Sequence, residues 1–255
     1  MRMSVARASL FLIATLIASR ILGWLRLSVI GARFGQSDVD AFLAAFRIPN
    51  TMFELLVAGA LASAFIPVFT GYLAKEREDE AWRVASSVLN VIVILLIAIS
   101  AIMWVVAPWV MPVLAPFEDP RRAALTLELT RIMLLSPIFM GLSALFTGIL
   151  NSYRQFLSGA TAPLVYNFVI ILFAVFASPF LGINALAWGT VVGALMMWLV
   201  QVPELTFRRT RYKLTLELFH PGVQEIARLT VPRTLPHGSV GSRLPPRPYT
   251  PPRRR

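Results

Sequence analysis

Between Val84 and Phe117 the chain carries no charged side chain, and at the heart of this stretch Val91-Ile92-Val93-Ile94-Leu95-Leu96-Ile97-Ala98-Ile99 run without a break. A helix needs about 20 consecutive apolar residues to cross the ~30 Å hydrocarbon core of a bilayer. This stretch exceeds that, and it constrains the fold more than any other feature. Five further apolar runs lie at about 8–33, 40–72, 124–150, 157–178 and 182–203. None shows the alternating polarity of a transmembrane barrel strand. The expectation is an all-α fold: a polytopic membrane bundle of six transmembrane helices.

Composition agrees. Of 255 residues 57% are hydrophobic and 15% charged, against roughly 45–50% and about 25% in soluble domains; mean hydropathy is +0.70. With no cysteine, disulfides, cysteine-ligated metals and a thiol nucleophile are excluded. Two histidines, His220 and His237, are too few for a histidine metal site. No GxxxxGK[ST] loop or HExxH helix occurs, which disfavours ATP-driven transport by this chain and zinc hydrolysis. No cofactor is expected.

The formal charge of +11 is unevenly placed. Residues 235–255 hold five arginines and six prolines without a carboxylate, a composition that neither packs a core nor enters lipid. A nucleic-acid partner is therefore not expected. The division read from the sequence is 1–207 as a six-helix lobe, 208–234 as a basic amphipathic cytoplasmic linker, and 235–255 as a disordered tail. Near the N-terminus, Arg2 and Arg7 precede an apolar stretch like that of a signal peptide, but the apolar pattern resumes after Arg20 and runs to Ile30, against cleavage.

Loop charges predict orientation. With the N-terminus inside, ten basic residues (Arg2, Arg7, Lys75, Arg77, Arg83, Arg154, Arg208, Arg209, Arg211, Lys213) face the cytoplasm, against Arg33, Arg121 and Arg122 outside. The positive-inside rule then puts both ends in the cytoplasm. The Arg208–Lys213 cluster reads as a topology anchor near anionic lipid.

Charges within the spans are costly, about 2.5–3.5 kcal/mol each near a helix centre on insertion scales. The first span carries Ser19, Arg20 and Arg26 around Gly23; six helical positions turn ~600°, so the arginines point about 120° apart. The second carries Asp40, Arg47 and Glu54 at seven-residue spacing with Asn50 beside them, placing the three ionisable groups on one stripe. Pro49 removes a backbone donor there. Three arginines against two carboxylates leave a surplus cation, which pairing alone does not justify. An arginine-lined, water-filled cavity for phosphate or carboxylate explains it better. Glu128 and Arg131, three apart, are expected to pair with each other. Gly189 and Gly193 form a GxxxG that favours close helix packing. Pro163 and Asn167 either line a cavity or satisfy freed backbone. Trp104, Trp109 and Trp188 suit interfacial anchors.

Several blocks resemble one family. Ala18-Ser19-Arg20-Ile21-Leu22-Gly23-Trp24-Leu25-Arg26, Phe34-Gly35, Asp40-Ala41-Phe42 through Arg47-Ile48-Pro49-Asn50, and Gly59-Ala60-Leu61 through Ile66-Pro67 are similar to the start of the MurJ (MviN) lipid II flippases. Ala107-Pro108-Trp109, Ile149-Leu150-Asn151 and Ala162-Pro163-Leu164-Val165-Tyr166-Asn167 extend the likeness over about residues 5–234. The resemblance implies a transporter of the polysaccharide and drug exporter superfamily in the bacterial cytoplasmic membrane. Its cargo would be the undecaprenyl-pyrophosphate-linked peptidoglycan precursor, lipid II. It implies a pyrophosphate-binding cavity at Ser19, Arg20, Arg26 and Asn50. Asp40, Arg47 and Glu54 form a supporting charge stripe, with Asp40 and Glu54 holding the cavity arginines in place.

Two departures stand out. Many relatives carry a basic residue shortly after the Pro-Asn, where this chain has Phe53 and then Glu54. Relatives also continue beyond a segment like Val231-Pro232-Arg233-Thr234-Leu235 into a second lobe with further cavity arginines. The proline- and arginine-rich end suggests a change of reading frame near Leu235. Half a cavity cannot alternate access unless two copies assemble. The competing expectations are an exporter of another lipid-linked oligosaccharide or of a drug, and a non-transporting membrane scaffold whose charges only pair.

Overall fold

The computed structural model describes residues 5–55, 64–206 and 211–234. Residues 235–255, expected to form the tail, lie outside them. Among the described residues the chain is helical without strands. Its elements are α1 (Val5–Arg33), α2 (Gln36–Phe53), α3 (Ile66–Ala74), α4 (Glu78–Leu114), α5 (Pro120–Met133), α6 (Ser136–Ser152), α7 (Leu157–Leu172), a π turn (Phe173–Ala177), α8 (Ser178–Leu181), α9 (Asn184–Leu199), α10 (Val202–Thr206) and α11 (Pro221–Thr234).

Five stretches of described residues are long and apolar enough to span a bilayer: Leu10–Arg33, Glu78–Leu114, Pro120–Ser152, Leu157–Leu181 and Asn184–Thr206. The remaining expected span, 40–72, is represented by α2 and α3, with 56–63 between them outside the described residues. The helix ends follow local chemistry. Glu78, Asp79 and Glu80 fill the first turn of α4, where carboxylates complement the helix dipole. Asp119 caps α5, its side chain accepting from the Arg121 backbone N–H at 2.9 Å. Pro49 lies inside α2, which continues past it to Phe53.

In the packing, α1 meets α7, α7 meets α9, α9 meets α6, and α6 meets α4, while α5 lies against α2, α4 and α9. The GxxxG is a packing device. A Cβ at Gly189 would fall 2.8 Å from Phe173 Cβ, and one at Gly193 would fall 3.1 Å from both Tyr166 Cδ2 and the Tyr166 carbonyl. Small residues thus bring α9 against α7 and the π turn. Toward the end bearing Lys75 and Arg77, Phe65, Phe69, Trp82, Leu145 and Ile149 form one core. Toward the other end, Ile30, Phe42, Leu129, Met133 and Leu186 form a second. Large apolar side chains of α1 such as Leu10, Ile21 and Trp24 stay exposed, as suits a lipid-facing surface.

The segment after α10 is tied into the fold. Residues 211–217 run along α4 without regular secondary structure, the Thr215 N–H turning back to the Lys213 carbonyl at 2.9 Å. The Lys213 N–H donates to Ser86 Oγ (3.1 Å), Asn90 Nδ2 donates to the Thr215 carbonyl (2.8 Å), and the Glu217 N–H donates to Ser87 Oγ (3.1 Å). Arg211 pairs with Asp79, and the Tyr212 hydroxyl donates to Asn90 Oδ1 at 2.7 Å. Val223 and Ile226 of α11 then join the first core.

Candidate functional site: an arginine-lined hollow

On α1, Ser19, Gly23 and Arg26 stand four and three positions apart and share a face. No atom would meet a Cβ at Gly23 within 4 Å, so the missing side chain leaves the helix surface open between a hydroxyl and a guanidinium. Opposite lie Phe46 and Asn50, one turn apart on α2. Together with Arg20, Leu16, Met140 of α6 and the neighbours Tyr166 and Asn167 of α7, they border an open hollow of about 380 Å³. All four residues expected to line a pyrophosphate cavity therefore border one space: Ser19, Arg20, Arg26 and Asn50.

The supporting stripe is placed differently. Asp40 accepts from Arg122 Nη2 of α5 at 3.0 Å, and Glu54 accepts from Asn50 Nδ2 at 2.8 Å. Neither carboxylate holds Arg20 or Arg26, which corrects that expectation. The physical reason is the seating of α2: it packs on α5, which turns Asp40 toward Arg122. Arg47 is exposed and borders a separate hollow of about 580 Å³ with Met52, Ile99 and Met103. Phe46 and Asn50 line both spaces and form the partition between them.

Among the described residues no carboxylate lies within 4.0 Å of Arg20 or Arg26; the ion pairs are Arg77–Glu80, Arg122–Asp40 and Arg211–Asp79. The hollow thus holds two guanidiniums and no acidic lining residue. Such a space is set up to take an anion, above all a phosphate that can engage the planar guanidinium forks.

Other expectations resolve as follows. Glu128 and Arg131 do not pair with each other. Glu128 accepts from Asn184 Nδ2 at 2.7 Å, and Arg131 lies over the Trp104 ring, 4.5 Å from its centroid. Partners from neighbouring helices outcompete the local i,i+3 contact, which in an isolated helix is worth only about 0.2–0.5 kcal/mol. Asn167 borders the hollow and also donates to the Pro163 carbonyl at 2.9 Å. Phe46, Met140 and Tyr166 had not been expected as lining residues. Tyr166 sits beside Asn167 in a motif with an intramembrane proline, and its side-chain hydroxyl is buried with no partner among the described residues.

A bundle of apolar helices with a cationic hollow on one side is the architecture of a polytopic membrane protein. The chain belongs to the lipid II flippase MurJ family, whose model matches residues 30–240. It is 33% identical over 241 residues to the lipid II flippase MurJ of Burkholderia cenocepacia, covering 91% of this chain and 47% of that protein. In fold it is similar to a lipid II flippase MurJ in an inward closed conformation, at TM-score 0.70 and 24% identity, covering 87% of this chain and 47% of the other. It is also similar to an inward-facing multidrug resistance MATE family transporter of the MOP superfamily, at TM-score 0.67 and 17% identity, covering 88% and 53%. The chain spans about half the length of the curated relatives it matches.

Proposed function

We propose that this chain is the arginine-bearing N-terminal lobe of a transporter that flips undecaprenyl-pyrophosphate-linked lipid II across the cytoplasmic membrane of a bacterium. The step supplies peptidoglycan precursor for the cell wall. The observation that carries this reading is the pair Arg20 and Arg26 bordering one hollow with no acidic partner among the described residues. A cationic drug would call for carboxylates there; an anionic headgroup calls for what is present.

About 380 Å³ lies at the small end of ligand pockets, which run to ~300–1,000 Å³. It suits a diphosphate rather than a whole glycopeptide headgroup. Arg20 and Arg26 would bind the diphosphate by charge-assisted hydrogen bonds, and Ser19 and Asn50 would supply neutral ones. A second lobe would complete the cavity, and rocking of one lobe against the other would expose the site to each side in turn. An ion gradient or the membrane potential would drive the cycle, since one charge moved through 100 mV is worth about 2.3 kcal/mol.

Complementation tests the assignment. Alanine at the positions of Arg20 or Arg26 in a full-length relative should abolish rescue of a flippase-depleted strain while the protein still reaches the membrane. Normal growth would refute it.

A further inference from the structure

Leu142, Phe146 and Ile149, on the face of α6 opposite Met140, border a larger space of about 1010 Å³, shared with α4, α9, α10 and the 211–217 strap. Its lining is almost wholly apolar, and it shares no residue with the arginine hollow. The strap builds one wall by simple alternation. Backbone groups of Lys213, Thr215 and Glu217 bond to α4, while Tyr212, Leu214 and Leu216, offset by one, border the groove. Leu214 is 88% exposed and Leu216 54%. Apolar side chains this open are stabilised by removal from water, so this wall calls for apolar cover.

Two observations say what kind. Basic residues flank the wall: Arg211, which is paired with Asp79, and Lys213, which has no carboxylate within 4.0 Å among the described residues. They lie at the end of the bundle that carries Arg77 and Arg83, which the positive-inside rule assigns to the cytoplasmic leaflet, where anionic lipid attracts such clusters. In the groove wall, Trp198 meets Phe146 edge-on, ring centroids 5.8 Å apart. Apolar, aromatic walls with a free lysine at the rim match a phospholipid: acyl chain inside, anionic headgroup at the rim.

We propose that the groove between α4, α6, α9 and the strap is a specific site for one anionic phospholipid of the cytoplasmic leaflet, with the headgroup at Lys213. The site stands independently of the arginine hollow, so failure of either reading leaves the other testable.

The test is native mass spectrometry of the 255-residue chain titrated in detergent with dioleoyl-phosphatidylglycerol or dioleoyl-phosphatidylcholine. The first phosphatidylglycerol should bind about fivefold or more tightly than the first phosphatidylcholine, a difference of ~1 kcal/mol at tenfold-per-1.4 kcal/mol conversion. Lys213→Glu should erase that preference and leave phosphatidylcholine binding unchanged. Val93→Trp, which fills the groove, should abolish the first binding event for both lipids. Should Val93→Trp fail to fold, Leu214→Glu decides, because so exposed a position tolerates a charge; it should weaken both lipids. Equal affinities in the unaltered chain would overturn the proposal. So would tight binding that survives Val93→Trp or Leu214→Glu, or a lipid-free dimer that buries the groove.

Discussion

Arg122 of α5 donates from Nη2 to Asp40 Oδ2 of α2 at 3.0 Å, so the first acid of the α2 stripe is engaged by another helix. This leaves Arg20 and Arg26 without a carboxylate partner among the described residues and makes the hollow more cationic than a count over the first two helices alone suggests.

The Asp40–Arg122 pair is half open to solvent, with side-chain exposures of 47% and 29%, so its stabilising effect is discounted for screening. A double-mutant cycle over Asp40→Ala and Arg122→Ala, read from unfolding in detergent, should give a coupling of at most about 1 kcal/mol. A coupling several times larger would mean that the pair locks the bundle rather than trims it.

The hollow should be wet. The chain has no cysteine, so a single introduced thiol reports its own surroundings. Ser19→Cys should react with a water-soluble, membrane-impermeant maleimide, whereas Trp24→Cys, on the exposed apolar side of α1, should not once the protein is in lipid. Equal silence at both positions would place the α1 polar face in a dry environment.

Docking of the strap should weaken in acid. The Arg211 guanidinium beside it holds the Asp79 carboxyl below its ordinary range. A group depressed in the folded state stabilises above its unfolded value, about 3.9, and that contribution fades as pH falls through the lower folded value. Amide exchange over residues 211–217 should therefore stay slow near neutrality and, after correction for intrinsic rates, speed up only below about pH 4. Protection that is unchanged at that acidity would show that the Ser86, Ser87 and Asn90 contacts hold the strap alone.

Much of this architecture is legible in the sequence because hydrocarbon punishes charge. The uncharged run from Val84 to Phe117 became α4 and its following loop, and the intramembrane Ser19, Arg20, Arg26 and Asn50 drew attention through their cost. Less legible was which way a helix faces. Seven-residue spacing puts Asp40, Arg47 and Glu54 on one stripe but says nothing of the neighbour that stripe meets, and Arg122 lies 82 positions from Asp40. Glu128 and Arg131 mislead for the same reason, since Asn184 and Trp104 arrive from other helices. Ser86, Ser87 and Asn90 are uncharged and carry no sequence signal of a partner; their partners are groups of a strap some 122 to 130 positions later.

The central claim, that Arg20 and Arg26 grip a diphosphate, is tested most directly by equilibrium binding of undecaprenyl pyrophosphate to the chain in lipid nanodiscs. The unaltered chain should bind it more tightly than undecaprenol, with an affinity that falls as salt rises. Each charge-assisted contact is worth about 1.5–3 kcal/mol, so Arg20→Ala and Arg26→Ala should each weaken binding by about tenfold or more. Affinity that is indifferent to both substitutions and to the diphosphate itself would contradict the account.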